Sequence, residues 1–412
     1  MSEKLIIENF GGLANAEIDI NAINIYIGKQ ASGKSVSAKL IYFFKNIYRE
    51  IYNAASEYET RDEIDKRIIS KFESYFPAEV WKNTAFKITY KYSGDEISIE
   101  KNKKSRLELI FSKLGEALIA AVLKFNNQLR ETANTNYLLS PTRSIVYNDL
   151  FFSEIKDNFG ERFGNTQVFI PAGRSFFANL QSAIFSVLSS NKSIDPFLIE
   201  FGSFYERTKG IIERAKEERA PNGIDKIISN ILGGVYLREG DKDYIIHNDK
   251  RKINVAFSSS GQQETLPLSI ILKAIAKLSF SSVGITVYIE EPEAHLFPSA
   301  QKSIVELIAS VYNLSDSKIQ FVITTHSPYI LTAFNNLFHA GLLIEHGKDE
   351  KLVNKAVPKS QRLKPTELNA YEMRDGKVID LIDKEYGLIT AESLDKASED
   401  ISKQFSELLD IE

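Results

Sequence analysis

The stretch that decides the fold is Gly28-Lys29-Gln30-Ala31-Ser32-Gly33-Lys34-Ser35, which fills every fixed position of the pattern G-x-x-x-x-G-K-[ST]. An apolar run over 23–27 precedes it and predicts a buried strand, and residues 36–44 predict the helix that follows. In such a loop the backbone N–H groups curl around a phosphate, the lysine reaches the β- and γ-oxygens, and the serine hydroxyl coordinates magnesium. The sequence therefore predicts a nucleotide phosphate site at the N-terminus of a helix.

Length and composition bound the class of protein. The chain has 412 residues, which favours two to three domains. Its 51 Lys and Arg residues against 55 Asp and Glu residues give a net charge of -4, so no overall basic field attracts nucleic acid or an anionic membrane. Because there is no cysteine, disulfides, thiolate metal sites and cysteine nucleophiles are excluded. No signal peptide or membrane span is evident, and we expect a cytoplasmic protein without direct membrane contact.

The hydrophobic periodicity alternates between strands and helices around the loop. Two alternating runs before it, broken by the turn at Gly11-Gly12, predict a pair of strands. After it, the pattern predicts these elements in order: helices over 36–75, a hairpin of 87–92 with 96–100, a helix over 107–129, a strand at 168–170, helices to about 232, a second hairpin of 236–246 with 253–257, a helix over 265–279, a strand at 285–289, a helix over 300–312 and a strand at 320–324. This alternation is typical of a mostly parallel sheet covered by helices. No sustained heptad run occupies residues 36–258, so we expect no long coiled-coil arm.

Two carboxylates, Glu290 and Glu291, follow the apolar run 286–289 and precede Pro292. At the end of a parallel strand, the first can hold magnesium and the second can orient and deprotonate an attacking water. An exposed acidic turn before a proline is the alternative. The presence of the phosphate-binding loop favours the catalytic interpretation.

Two further motifs add possible phosphate contacts. Ser259-Ser260-Gly261-Gln262-Gln263 opens a predicted helix and offers backbone N–H groups and a hydroxyl to an anion, although an ordinary serine N-cap is the alternative. His326 follows the strand 321–325. A histidine there can hydrogen-bond a γ-phosphate and the attacking water, whereas a structural histidine is the alternative.

Together these residues resemble the motifs of ABC/SMC-type ATPases. Residues 28–35 resemble Walker A, 259–263 resemble the signature in the S-x-G-Q-Q form of RecF-type repair ATPases, 289–291 resemble Walker B with its catalytic glutamate, and His326 is placed like the switch histidine. Within this group, 289–298 and 324–328 are most similar to the ATPase module of OLD (overcoming lysogenization defect) proteins and their stand-alone relatives. Many of those proteins serve in anti-phage defence.

The resemblance implies an α/β fold, an ABC-type P-loop ATPase head with a mixed, mostly parallel sheet covered by helices and a helical insertion lobe. It divides the chain into an N-terminal part of the ATPase lobe over 1–48, a helix and hairpin insertion over 49–165, the rest of the ATPase lobe over 166–345 and a C-terminal extension over 346–412. The implied cofactors are ATP and Mg²⁺, with Ser35 and Glu290 as magnesium ligands. The implied catalytic residues are Lys34, Glu291 and His326. The implied nucleotide contacts are Gly28, Lys29, Gln30, Ala31, Ser32, Gly33, Lys34, Ser35, Ser259, Ser260, Gly261 and Gln262.

Four positions qualify the resemblance. Glu290 stands where Walker B usually has aspartate, a feature often shared by the OLD-like branch. Ser260 stands where transporter subunits have glycine, which argues against a transporter. Gln167 is a candidate for the Q-loop glutamine. Arg174 is either a phosphate or dimer-contact arginine or a plain surface residue.

The family implies that the signature of one protomer completes the ATP site of another, so we expect an ATP-dependent homodimer. The 86 residues after His326 contain no D-x-D pair, and Asp241-Lys242-Asp243 lies in a predicted hairpin turn, so we expect no nuclease activity. The leading interpretation is a sensor or regulator ATPase that acts on a separate effector protein in anti-phage defence. The alternatives are a RecF/SMC-like DNA repair or clamp ATPase, which would bind DNA, and a scaffold that binds ATP without hydrolysing it.

Overall fold

A computed structural model describes residues 3–102, 106–133, 157, 164–179, 194–214, 223–278, 284–315, 318–383, 385, 387–390, 403–404 and 406. The strands in chain order are β1 (Glu3–Phe10), β2 (Leu13–Ile20), β3 (Ile23–Ile27), β4 (Phe86–Tyr92), β5 (Asp95–Lys101), β6 (Glu108–Phe111), β7 (Thr166–Ile170), β8 (Gly234–Glu239), β9 (Lys242–His247), β10 (Lys252–Asn254), β11 (Ile285–Glu290), β12 (Ile319–Thr325), β13 (Leu368–Arg374) and β14 (Lys377–Asp380). The α-helices are α1 (Lys34–Ser56), α2 (Arg61–Tyr75), α3 (Lys113–Ala133), α4 (Phe176–Asn179), α5 (Pro196–Arg214), α6 (Ile224–Leu232), α7 (Ser260–Leu278), α8 (Pro298–Leu314), α9 (Pro328–Glu345) and α10 (Glu350–Ala356).

A six-stranded sheet in the order β14-β13-β3-β12-β11-β7 forms the centre of the fold. All neighbours pair in parallel except β13 and β14. Every residue of β3 and β12 is buried, as expected for central parallel strands covered on both faces. The register pairs Ile27 with Thr325 and Glu290 with Thr324, so these strands end at one edge of the sheet. Three of the sequence motifs follow directly from that edge.

An antiparallel sheet in the order β2-β1-β4-β5-β6 packs with helices α1, α2 and α3 in a second apolar core. A buried polar cluster connects this sheet to the central one. The ammonium of Lys45 in α1 lies 3.2 Å from an oxygen of the Glu3 carboxylate and also donates to the Gln320 side chain in β12. The side chain of Lys45 is fully buried, so the ion pair is shielded from water.

Two regions differ from the sequence-based expectations. Residues 108–111 form β6, paired with β5, where a helix over 107–129 is expected; α3 begins only at Lys113. The predicted strand 236–246 is itself a hairpin, because Gly240 adopts a φ of 57° and turns the chain between β8 and β9. Both strands then join β10 in a three-stranded sheet. A strand as short as β6 has too few residues for its hydrophobic pattern to be distinguished from that of the neighbouring helix.

The boundaries expected at residues 48 and 346 do not coincide with breaks in the structure. Helix α1 runs across residue 48, and β4 of the expected insertion pairs directly with β1. Strand β13, in the expected C-terminal extension, pairs in parallel with β3 inside the central sheet. The described parts of both segments therefore share the cores of the ATPase lobe.

Candidate nucleotide-binding site

The loop 28–35 places the N-terminus of α1 at the carboxyl edge of the central sheet. Gly33 caps the helix in the left-handed region at a φ of 100°, and no side chain hydrogen-bonds to the cap. A Cβ at Gly33 would lie 2.8 Å from the Leu13 side chain, so glycine is required by conformation and by space. The first turn of α1 contains no acidic residue. Its amide groups and the positive end of the helix dipole can therefore receive an anion.

The Lys34 side chain is buried within this loop. Its ammonium donates to the carbonyl oxygens of Gly28 and Lys29, each at 2.8 Å, and lies 3.4 Å from Nδ1 of His326. Burial lowers the pKa of Lys34, and the nearby carboxylates of Glu291 and Glu293 oppose that shift. The loop thus encloses one cation in a position to meet phosphate oxygens.

Glu290, at the end of β11, has one buried oxygen without a hydrogen-bond partner. Its Oε2 accepts a hydrogen bond from the Ala172 amide at 3.4 Å, whereas its Oε1 is buried and unpaired. Such an unpaired carboxylate oxygen needs a partner, and a cation supplies one. The described residues include no cluster of three acidic or histidine side chains fit for a metal. Glu290 with the exposed Ser35 fits Mg²⁺, which typically keeps few protein ligands, the rest being water and phosphate.

Glu291 and His326 contact each other at the same edge. Glu291 has a φ of 45°, its amide donates to the Thr324 carbonyl at 2.9 Å, and its Oε1 lies 3.0 Å from Nε2 of His326. Since the Lys34 ammonium can only donate, Nδ1 of His326 accepts and Nε2 carries the proton toward Glu291. The structure therefore brings the three predicted catalytic residues into one chain of contacts, Lys34 to His326 to Glu291.

Glu293 is a site residue that the sequence analysis missed. Its Oε1 accepts hydrogen bonds from the Thr325 hydroxyl at 2.8 Å and from the backbone N–H of His326 at 2.6 Å. The carboxylate therefore fixes the end of β12 at the residue that carries the imidazole. Its position three residues after Glu290, in the turn that follows β11, was the available signal.

The signature residues 259–262 lie at the N-terminus of helix α7 and are partly exposed to solvent. The Ser259 backbone N–H donates to the Gln262 side-chain oxygen at 3.2 Å, and the Gln262 backbone N–H donates to the Ser259 hydroxyl at 3.4 Å, which is a capping box. The Gln262 side chain donates to the Leu232 carbonyl and that of Gln263 donates to carbonyls at 255–258. Ser259 and Ser260 are exposed. The serine N-cap that the sequence offered as an alternative is thus present, and it leaves the helix end accessible.

Three aromatic side chains adjoin these motifs and are largely exposed. Phe257 precedes the signature and is 85% exposed, Phe297 follows the turn after Glu291 and is 77% exposed, and Tyr329 follows His326 and is 55% exposed. Large apolar groups of this kind are favoured at interfaces. The sequence analysis did not single them out.

Arg174 and Gln167 do not take the roles considered for them. Arg174 is fully buried, so it is neither a surface residue nor exposed to a second molecule. Gln167 lies in the body of β7, opposite Thr286, and its side-chain oxygen accepts from the Tyr288 hydroxyl at 2.8 Å. Because the site lies at the carboxyl ends of the strands, Gln167 is not a residue of the site.

The fold and the loop geometry define a P-loop protein with the predicted mixed α/β architecture, a mostly parallel sheet covered by helices. The chain matches the family model described as "AAA ATPase domain" over residues 1–192 and 173–331. It therefore belongs to this family of ATPase domains. None of the described helices has the length and apolar character needed to cross a bilayer.

No curated protein matches the chain. Among solved structures, it is similar to the SmcHead bound to the C-winged helix domain of ScpA, with 14% identity, 93% of this chain and 98% of that chain covered, and a TM-score of 0.38. The Smc head domain bound to the C-terminal domain of ScpA from Pyrococcus furiosus has 15% identity, 97% and 99% coverage and a TM-score of 0.39. The SMC head domain from Thermotoga maritima has 13% identity, 92% and 97% coverage and a TM-score of 0.35.

Proposed function

We propose that two copies of this chain enclose ATP, each supplying the loop 28–35 to one nucleotide and the signature 259–262 to the other, and that they hydrolyse it. The observation that carries the proposal is the chain of contacts from Lys34 through His326 to Glu291 at the helix N-terminus. A phosphate-binding cation, a histidine and a carboxylate in this order suit in-line attack of water on a γ-phosphoryl group.

In the proposed reaction, Glu291 takes a proton from a water molecule while the oxygen of that water attacks the γ-phosphorus. The bond between the γ-phosphorus and the β–γ bridging oxygen breaks, and ADP and phosphate are released. Lys34 stabilises the charge on the phosphoryl oxygens. His326, held between Lys34 and Glu291, orients the carboxylate. Ser35 and Glu290 would hold Mg²⁺, which supplies charge neutralisation on the β- and γ-oxygens.

The exposure of the signature supports its action on a second copy. Ser259 and Ser260 face solvent at the start of α7, where backbone N–H groups can receive an anion. Phe257, Phe297 and Tyr329 lie next to the motifs in sequence and are exposed, so they provide apolar area for a partner surface.

Paired variants test the hydrolysis step. Lys34→Ala should lose ATP affinity, whereas Glu291→Gln should retain ATP, stabilise the dimer and lower turnover by about 10²–10⁴-fold, the usual contribution of a general base. Glu17→Gln is the matched control, because Glu17 is an exposed carboxylate that pairs with Lys4 in the antiparallel sheet. Turnover of Glu291→Gln within about tenfold of the wild type, equivalent to about 1.4 kcal/mol, would exclude Glu291 as the base.

We further propose that the ATP state regulates a separate effector protein in anti-phage defence. The support is the resemblance of residues 289–298 and 324–328 to OLD-like ATPases. A pull-down from the native host should recover one distinct effector, in different amounts with Glu291→Gln and Lys34→Ala. Duplex DNA binding with a log–log salt slope steeper than about -4 would favour the RecF/SMC-like alternative, since it indicates several phosphate contacts. Metal-dependent DNA cleavage that survives Lys34→Ala would contradict the expectation of no nuclease.

A further inference from the structure

A buried arginine joins the end of the Walker B strand to the signature helix of the same chain. The Arg174 guanidinium donates to the carbonyl oxygens of Glu290 at 2.7 Å, Glu291 at 3.0 Å and Glu264 at 3.0 Å. It also donates to the Pro171 carbonyl at 2.9 Å, within its own turn. The planar fork of arginine can satisfy several acceptors at once, which a lysine cannot do.

Glu264 completes this connection from the signature side. It lies in the second turn of α7, four residues after Ser260, and only 1% of it is exposed. Its carboxylate accepts from the backbone N–H groups of Arg174 at 3.0 Å and Ser175 at 2.7 Å and lies 3.3 Å from the Arg174 guanidinium. The turn after β7 is thus held to α7 by charge-assisted hydrogen bonds, which are stronger than neutral ones.

The same turn contacts the Glu290 carboxylate and the backbone of Glu291. Its Ala172 amide donates to Oε2 of Glu290 at 3.4 Å, and Arg174 holds the carbonyl of Glu291, a residue with a φ of 45°. A left-handed conformation at a non-glycine residue costs about 1–3 kcal/mol and persists only where its surroundings fix it. The bond from Arg174 is one of the contacts that fix it, and so Arg174 is a positioning residue for Glu291.

We propose that the Arg174–Glu264 pair couples the two ATP sites of the dimer. This inference rests on the proposed function, in which one chain offers Glu291 to its own nucleotide and its signature to the nucleotide of the partner. A shift of the β11 end on ATP binding then moves Arg174 and Glu264, and with them the N-terminus of α7 at the other site. Fully buried, hydrogen-bonded connections transmit such shifts because a packed core does not deform smoothly.

The test is Glu264→Gln, which keeps the shape of the side chain and removes its charge. ATP turnover of the wild type should be cooperative, with a Hill coefficient near two for two coupled sites. The variant should bind a fluorescent ATP analogue with unchanged affinity, lose about tenfold or more in turnover because Glu291 shifts, and show a Hill coefficient near one. Lys273→Gln is the matched control, since Lys273 is also in α7 and forms its ion pair with Asp225 of α6.

A purely structural role predicts a different result, in which the unfolding midpoint, ATP affinity and turnover fall together while the Hill coefficient is unchanged. If Glu264→Gln is unstable because Arg174 keeps an unbalanced charge, the double variant Arg174→Gln, Glu264→Gln removes both charges. A stable double variant with a Hill coefficient near one supports the coupling, and one that restores cooperativity overturns it. Non-cooperative turnover of the wild type also overturns it. Failure of the proposed function is recognised separately, as a wild-type chain without ATP turnover or ATP-dependent dimers.

Discussion

Replacing Glu293 tests whether the carboxylate that the sequence analysis missed positions His326. Glu293→Ala removes the acceptor of two hydrogen bonds, from the Thr325 hydroxyl at 2.8 Å and the His326 amide at 2.6 Å. Hydrogen bonds to a charged group contribute about 1.5–3 kcal/mol each. Both bonds converge on one oxygen of a half-buried side chain, and water can partly replace them. We therefore expect a loss of about 2–4 kcal/mol in the free energy of unfolding, measured by urea titration.

The same variant should separate turnover from ATP binding. Without its acceptor the end of β12 shifts, and a misplacement of about 1 Å at a reacting group can cost about 100-fold in rate. Lys34 keeps its hydrogen bonds to the Gly28 and Lys29 carbonyls, so ATP affinity should stay within about threefold, or about 0.65 kcal/mol. Steady-state ATPase assays and titration with a fluorescent ATP analogue measure the two quantities.

Glu293→Gln is the matched variant. It keeps a side-chain oxygen for Thr325 and His326, and its amide replaces Oε2, which is buried without a hydrogen-bond partner in the wild type. We expect it to retain more stability and turnover than Glu293→Ala. The reasoning is refuted if the free energy of unfolding of Glu293→Ala lies within about 0.5 kcal/mol of the wild-type value, the range of an ordinary surface substitution, and its ATP turnover lies within about twofold of the wild-type rate.

Three further substitutions have definite expectations. Gly28→Ala should weaken ATP binding by about tenfold or more in a fluorescence titration, because its Cβ would overlap the Met373 carbonyl of β13 and overpacking costs about 1–3 kcal/mol. Lys45→Met should lower the free energy of unfolding in urea by about 3–5 kcal/mol, since it leaves the Glu3 carboxylate buried without its cation. Ser260→Trp should preserve ATP affinity and abolish ATP-dependent association in light scattering, because this exposed position is proposed to meet the partner.

Each of these substitutions has a control in the same chain. Gly210→Ala places a Cβ with no atom within 4 Å, so ATP binding should be unchanged. Lys4→Met breaks an exposed ion pair and should cost at most about 1 kcal/mol. Ser74→Trp alters an exposed position in α2 and should leave association intact. Equal effects in a test variant and its control would contradict the structural explanation of that site.

The structure also changes which signature residue suits a test of the dimer. Gly261 is an obvious choice from sequence, since it occupies the glycine of the signature. A Cβ there would lie 2.7 Å from the His295 carbonyl of the same chain, so a bulky residue disturbs the protomer as well as the interface. Ser260 avoids this ambiguity because it is exposed at the first position of α7.

The sequence alone predicted the mixed α/β fold and the ATPase class. Each motif is a short segment next to a strand with an unbroken apolar run, and such local patterns are readable without the fold. Parallel strands end at a common edge, which explains why Lys34, Glu291 and His326, taken from three distant segments, lie together.

Only the tertiary structure decided the contacts that hold the site in place. Arg174 bonds to carbonyls that lie 90–117 residues further along the chain, and backbone carbonyls leave no mark in a residue pattern. Strand β13 pairs with β3 across more than 300 residues and places the Met373 carbonyl against Gly28. Local periodicity reports which face of a segment is buried, whereas the partner on that face depends on the packing of the whole chain.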